Sequence, residues 1–218
     1  MGEDVAVAEQ HGRAPEWIVV MPVKRLAGGK SRLSTRTAGE RRDLALAFAL
    51  DSVRAATGCD LVARVVVVTD DDEVRAAALG LDATWVSEGS RAELNAAIRH
   101  GVVQVRLGSP DAAVAVLAAD LPALRSDELG KALALAAQQA RAFVADAPGT
   151  GTTLLTALAG IDPDPHFGVR SRAAHAFSGA VALEPGSVPG LRRDVDTEVD
   201  LWDARRLGVG PATAHALR

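Results

Sequence analysis

Tyrosine is absent from the 218 residues, cysteine occurs once, and lysine three times against 21 arginines. The lone Cys59 excludes a disulfide framework and a cysteine-rich zinc module. Long apolar runs are missing too, since nothing approaches the roughly 18–20 residues that cross a bilayer. The acidic stretch Met1–Gln10 lacks the basic-then-apolar order of a secretion signal, so a cytoplasmic protein without membrane contact is expected. Positive charge is not in excess: the formal net charge is −4, which argues against nucleic acid as a partner. No serine stands in a Gly-x-Ser-x-Gly elbow. Cys59 has no histidine beside it and reads as an inert buried thiol.

What is present is ordinary for a globular chain, with 48% hydrophobic and 24% charged residues, enough for one core without staples. Residues 1–15 read as a loose tail and 16–218 as one domain. Strand and helix patterns then alternate. Trp17 to Val23 is an apolar run closed around Pro22, and Val65 to Val68 is β-branched without alternation, as in a parallel strand covered on both faces. Further strands are expected at Ala83–Ser87, Ala112–Ala118, Phe143–Ala145 and Val181–Leu183. Helices are expected at Asp43–Ala56, Asp72–Leu79, Ala92–Arg106, Ser126–Arg141 and Glu198–Leu207. Residues Pro148 to Ser178 read as a long loop region with short elements. Strands alternating with helices predict an α/β, three-layer Rossmann-like domain with a mostly parallel sheet, whose ligands bind beyond the carboxyl ends of the strands.

The informative residues follow strands. Between Lys24 and Arg42 the chain carries Lys24, Arg25, Lys30, Arg32, Arg36, Arg41 and Arg42 against one acid, Glu40. Glycine-rich backbone at Gly28–Gly29 with this countercharge suits a triphosphate, although charge runs are often only solvated surface. Gly29-Lys30-Ser31 resembles the end of a P-loop, but Lys24 stands where the first glycine is needed.

Asp120 follows a strand, and Asp194 and Asp196 lie two apart, on one face of an extended segment. If the three meet, their oxygens suit Mg²⁺. Thr197 with Asp200 also resembles a helix-capping box, and Asp196 could simply serve a helix N-terminus. Asp70-Asp71-Asp72 reads as a helix start or, less directly, a metal site. Asn95 opens a helix, either to contact a base or as a surface residue. His166 and His175 read as surface residues. Gly149-Thr150-Gly151-Thr152-Thr153 and Phe167-Gly168-Val169-Arg170-Ser171 read either as loops holding a small phosphorylated acid or as a pair of tight turns.

Pro22-Val23-Lys24-x-Leu26 through Lys30-Ser31-Arg32-Leu33, Ala119-Asp120-Leu121-Pro122-Ala123-Leu124, Gly149-Thr150-Gly151-Thr152 and Asp194-Val195-Asp196-Thr197 together resemble the phosphoenolpyruvate/2-phospho-L-lactate guanylyltransferases of coenzyme F420 biosynthesis, the actinobacterial members most. The resemblance runs from about Trp17 to Ala214. It implies a glycosyltransferase-A type nucleotidyltransferase fold and transfer of the guanylyl group of GTP to phosphoenolpyruvate, or to 2-phospho-L-lactate, with release of pyrophosphate. By motif it assigns Asp120, Asp194 and Asp196 to Mg²⁺, and Thr152, Gly168 and Ser171 to the acid. Lys24, Lys30 and Arg32 fall to the GTP phosphates, with Asp120, Lys24 and Lys30 as the catalytic set and Asn95 as a further nucleotide contact. It also implies a transient hand-off of the product to a downstream transferase. Ala119 departs from the family, where a glycine is familiar. A metal-dependent nucleotide-sugar glycosyltransferase and a non-enzymatic nucleotide sensor are the competing readings.

Overall fold

A computed structural model describes residues 15–26, 30–89 and 93–218. The expected tail, the Gly28–Gly29 pair and the expected helix start at Ala92 thus fall, apart from Pro15, outside the described residues. In chain order the elements are β1 (Trp17–Pro22), α1 (Ala38–Thr57), β2 (Val62–Val68), α2 (Asp72–Leu79), β3 (Thr84–Val86), α3 (Leu94–Gly108), β4 (Ala113–Leu117) and α4 (Ser126–Ala136). There follow β5 (Arg141–Ala145), β6 (Thr152–Ala157), α5 (Ser171–Phe177), β7 (Val181–Ala182), α6 (Pro189–Arg192), α7 (Glu198–Leu207) and α8 (Pro211–Ala216).

Among the described residues seven strands make one sheet in the order β3-β2-β1-β4-β6-β5-β7. The half from β3 to β4 is parallel, as expected. The other half departs from expectation, because β6 runs antiparallel to both β4 and β5. Reading Pro148–Ser178 as loop missed β6, whose sequence TTLLTA is buried throughout and so lacks the alternation that marks a strand from its pattern. The helix expected over Ser126–Arg141 ends at Ala136, and Arg141 already opens β5.

The valine run of β2 shows why alternation fails in such strands. Val65 and Val67 join an apolar cluster with residues of α1, α2 and α4, while Val66 and Val68 join a second one with α3. Both faces are covered, so every position is apolar. Helix α3 lies close on the sheet because residue 101 is glycine: a Cβ there would stand 2.5 Å from Val68 Cγ2 and 3.1 Å from Val20 Cγ1. A third cluster sits beyond the strand ends and is formed by Leu33, Leu44, Phe48, Ala123, Val195, Leu201 and Ala204. It packs α1 and α7 against three loops that matter below. No helix among the described residues is long and apolar enough to cross a membrane.

Gly101→Val is expected to lower unfolding free energy by about 2–3 kcal/mol through overpacking and the loss of a helix-compatible rotamer. The urea midpoint should fall at unchanged slope.

Candidate active site

Strands β1, β4 and β5 are mutually parallel through the sheet while β6 is reversed, so their carboxyl ends and the amino end of β6 share one edge. Lys24 follows β1, Asp120 follows β4, Asp146 follows β5, and Thr152 opens β6. The Ala118 N–H donates to Thr153 O at 2.8 Å, which brings the Asp120 loop beside the start of β6.

Three loops meet over the third apolar cluster. Leu33 donates its N–H to Lys30 O at 2.9 Å, and Val195 donates to Asp120 O at 3.1 Å. Leu33 and Val195 are fully buried, so the polar residues beside them are carried to one place by apolar packing. There the Lys30 ammonium donates to Asp120 Oδ2 at 2.6 Å and to Asp196 Oδ1 at 3.1 Å. Arg32 approaches Asp196 Oδ2 at 4.0 Å from the exposed side. Burial alone would lower the Lys30 pKa, but the charges and hydrogen bonds of Asp120 and Asp196 outweigh it and hold Lys30 above the ordinary lysine value.

Asp194 is half-buried. Burial, then the negative charges of Asp120, Asp146 and Asp196, push its pKa up to about 7. One ammonium therefore faces several carboxylates, and the site carries surplus negative charge. The segment bearing them is held by Arg193, which pairs with Asp200 at 3.5 Å and Asp203 at 3.3 Å on α7. The Thr197–Asp200 capping box is present, with the Thr197 N–H donating to Asp200 Oδ2 at 2.8 Å. Asp196 is spared for Lys30. Lys30 thus links Asp120 to Asp196 and Asp194 feels the charge of both, while no group of three His, Cys, Asp or Glu side chains among the described residues forms a metal cage.

The rest of the cationic run divides by partner. Arg36 faces Glu198, Arg42 pairs with Glu73, and Arg41 donates to Arg36 O, so these three serve the loop and its neighbours. Lys24 is exposed and has no hydrogen bond or ion pair with the described residues.

The Gly-Thr-Gly segment needs correction as a cradle for a ligand anion. The N–H groups of Thr150 and Gly151 donate to the Asp146 carboxylate, both at 2.7 Å, and Gly149 N–H donates to Asp146 O at 3.1 Å. The anion in this turn is the protein's own, and the tight-turn alternative holds. Gly149 adopts φ +75°, and a Cβ at Gly151 would lie 2.4 Å from Asp146 Oδ2. Sequence reasoning overlooked Asp146, yet an aspartate opening Pro-Gly-Thr-Gly is a recognisable turn signal.

Thr152, Gly168 and Ser171 do lie together. Ser171 N–H donates to Gly168 O at 3.1 Å, Arg172 N–H to Thr150 O at 3.2 Å, and Thr152 Oγ1 meets His175 Nδ1 at 2.9 Å. His175 is fully buried, not a surface residue as its spacing suggested. Burial, then His166 and Arg141, lower its pKa to about 4, with Asp164 opposing. His166 is half-exposed and faces Asp164 at 3.1 Å. Asn95 also holds backbone: its Nδ2 donates to Phe167 O at 2.9 Å and its Oδ1 accepts from Phe167 N–H at 2.8 Å. The amide clamps the loop before Ser171. Asp71 caps α2 and binds Leu26 N–H at 3.0 Å, while Asp70 accepts from Ser87 Oγ at 2.6 Å, so that acidic triplet is a helix start. Cys59 is buried, as expected.

The α/β sheet with one reversed strand thus carries a cation–carboxylate centre at its strand ends. Two solved structures share the fold: a 4-diphosphocytidyl-2C-methyl-D-erythritol synthase (TM-score 0.61, 13% identity, 88% of this chain and 99% of that one) and a nucleotidyl transferase from Methanothermobacter (TM-score 0.53, 19% identity, 93% and 98%). Residues 17–160 match the family described as guanylyl transferase CofC like. The phosphoenolpyruvate guanylyltransferase of Streptomyces coelicolor is 52% identical over 91% of this chain and 94% of that protein. The chain belongs to the CofC-like guanylyl transferase family.

His175 has a folded pKa below its ordinary value of 6.5, so the unfolded chain takes up the proton first. The contribution of His175 to stability is complete above pH 6.5 and declines as pH falls from there toward 4. NMR titration should find the His175 ring neutral to about pH 4, and between pH 7 and 5 the wild type should lose more stability than His175→Asn.

Proposed function

We propose that this protein transfers the guanylyl group of GTP to phosphoenolpyruvate, forming enolpyruvoyl-2-diphospho-5′-guanosine and pyrophosphate for coenzyme F420 biosynthesis. The observation that carries the reading is the Lys30 ammonium held between Asp120 and Asp196 at the strand ends. The relative in Streptomyces coelicolor, named for this reaction, supports the choice of substrates.

Two anions must react, which makes the barrier largely electrostatic and positional. The attacking oxygen belongs to a phosphomonoester whose second pKa is about 6, so it is already ionised near neutrality and needs no protein base. This accounts for a site of acids and cations without a nucleophilic cysteine or serine. Lys30, Arg32 and the unpaired Lys24 balance the triphosphate and the departing pyrophosphate. Asn95 and His175 order the loop and strand that present Gly168, Ser171 and Thr152 to the acid.

The donor set fits Mg²⁺: it offers oxygen ligands only, and burial together with the neighbouring carboxylates raises Asp194 to about 7. Asp120, Asp194 and Asp196 would hold the ion, with phosphate oxygens of the substrate completing its shell. Held there by Asp120, Asp194 and Asp196, Mg²⁺ would supply neutralisation of the phosphate charge. The product is a reactive diphosphate, and passing it directly to a separate transferase limits its hydrolysis.

The test is to incubate the protein and Mg²⁺ with each nucleoside triphosphate and either phosphoenolpyruvate or 2-phospho-L-lactate, and to identify products by mass. GTP with phosphoenolpyruvate should give the guanylylated acid and pyrophosphate. Product from 2-phospho-L-lactate alone overturns the acceptor. Reaction of a nucleotide sugar without pyrophosphate, or GTP-induced thermal stabilisation without consumption, overturns the reaction class.

Asp120→Asn should reduce turnover by about 10²–10³-fold or more while the circular dichroism spectrum is retained. Unchanged pyrophosphate release would remove Asp120 from the metal site. Asn95→Ala should cost about 1–3 kcal/mol of stability, from two lost backbone bonds, and raise the KM for the acid with that for GTP unchanged. A selective rise in the GTP KM would restore Asn95 as a nucleotide contact.

A further inference from the structure

His175 touches no surface and is absent from every motif considered in the sequence, yet both of its ring nitrogens are engaged. Nε2 lies 2.9 Å from the His166 backbone N–H and Nδ1 lies 2.9 Å from Thr152 Oγ1. A backbone N–H can only donate, so Nε2 must offer its lone pair and the ring must carry its proton on Nδ1. The Nδ1–H then donates to Thr152 Oγ1.

This fixes the polarity of the threonine hydroxyl. A hydroxyl group has one hydrogen and two lone pairs, and here a lone pair is taken by the imidazole. The Thr152 hydrogen is left over, with no protein acceptor among the described residues. Residue 152 is 8% exposed, so solvent offers this hydrogen little.

The imidazole is in turn braced on every side. Its ring packs edge-on to Phe167 at 5.1 Å and tilted to Phe143 at 6.0 Å between centroids. The charged and titratable groups facing it are His166, Arg141 and Asp164. Arg141 is engaged with Pro163 O and Ser178 O at 2.9 Å, and Asp164 with His166 at 3.1 Å. None of these is free to reverse the tautomer.

The geometry points to His175 as a positioning residue that locks the Thr152 hydroxyl as a hydrogen-bond donor toward the acid acceptor. The subsite therefore takes an oxyanion, a phosphate or carboxylate oxygen, and disfavours a ligand that presents a donor at that point. This deepens the guanylyltransferase reading above and rests on it.

The first arm of the test needs no substrate: ¹⁵N NMR of the wild-type protein should show the Nδ1–H tautomer of His175 near neutral pH. The second arm is a double-variant cycle on the acceptor KM. His175→Phe and Thr152→Val should each raise it about tenfold with the KM for GTP unchanged, and the two combined should do no more than one alone. In His175→Asn the amide Nδ2–H stands where the imidazole Nδ1–H stood, and the acceptor KM should stay within about threefold of wild type. Should His175→Phe not fold, the tautomer and the Asn variant carry the test.

An Nε2–H tautomer overturns the inference. So do multiplicative effects in the cycle, or a His175→Asn as impaired as His175→Phe, because either marks simple packing. A wild-type protein that makes product while the cycle fails sinks this inference alone. One that makes no product with either phosphorylated acid sinks the proposed function and the inference together.

Discussion

Mutual repulsion among Asp120, Asp194 and Asp196 is the constraint the rest of the structure answers to. Like charges do not gather unless something holds them, and here two things do. Beneath them the fully buried Leu33 and Val195, with Ala123 and Leu201, form an apolar cluster that fixes the three loops. Above it Lys30 spans Asp120 and Asp196. The cluster supplies position and the lysine supplies charge, and neither replaces the other.

The sheet explains why these loops are near one another at all. A wholly parallel arrangement would set every strand's carboxyl end on the same edge but would send each following segment back behind the sheet. Reversing β6 brings the chain straight back after β5, so Asp146, the turn and Thr152 stay on that edge beside Asp120. The one reversed strand brings the hydroxyl-bearing side of the site to the acid-bearing side. Asn95 and Arg141 then tie the loop before α5 to the body through backbone carbonyls.

The parallel half of the sheet and the residues behind each strand were legible in the sequence, because buried apolar runs and a cluster of cations leave strong marks. That Asp120 and Asp196 come to one lysine across 76 residues follows from the packing of their loops, which spacing does not show. β6 was hidden because Thr152 to Ala157 is buried on both faces and follows a glycine-rich turn, which mimics a loop. His175 was misread because a buried histidine leaves no periodic signal; only its two partners, at residues 152 and 166, disclose its state. Asn95 was placed at the correct helix start, but its bonds to Phe167 were not foreseen, since a contact 72 residues away cannot be read from local spacing.

The turn after β5 carries a consequence for how this chain can change over generations. The Asp146 carboxylate fills the space that any side chain at 151 would claim, at 2.4 Å from a Cβ there. Neither position can drift by itself: a larger residue at 151 evicts the carboxylate, and losing the carboxylate strands two backbone donors. Lineages are therefore free to rebuild this corner only by exchanging both residues at once, so the pair should be inherited as a single character.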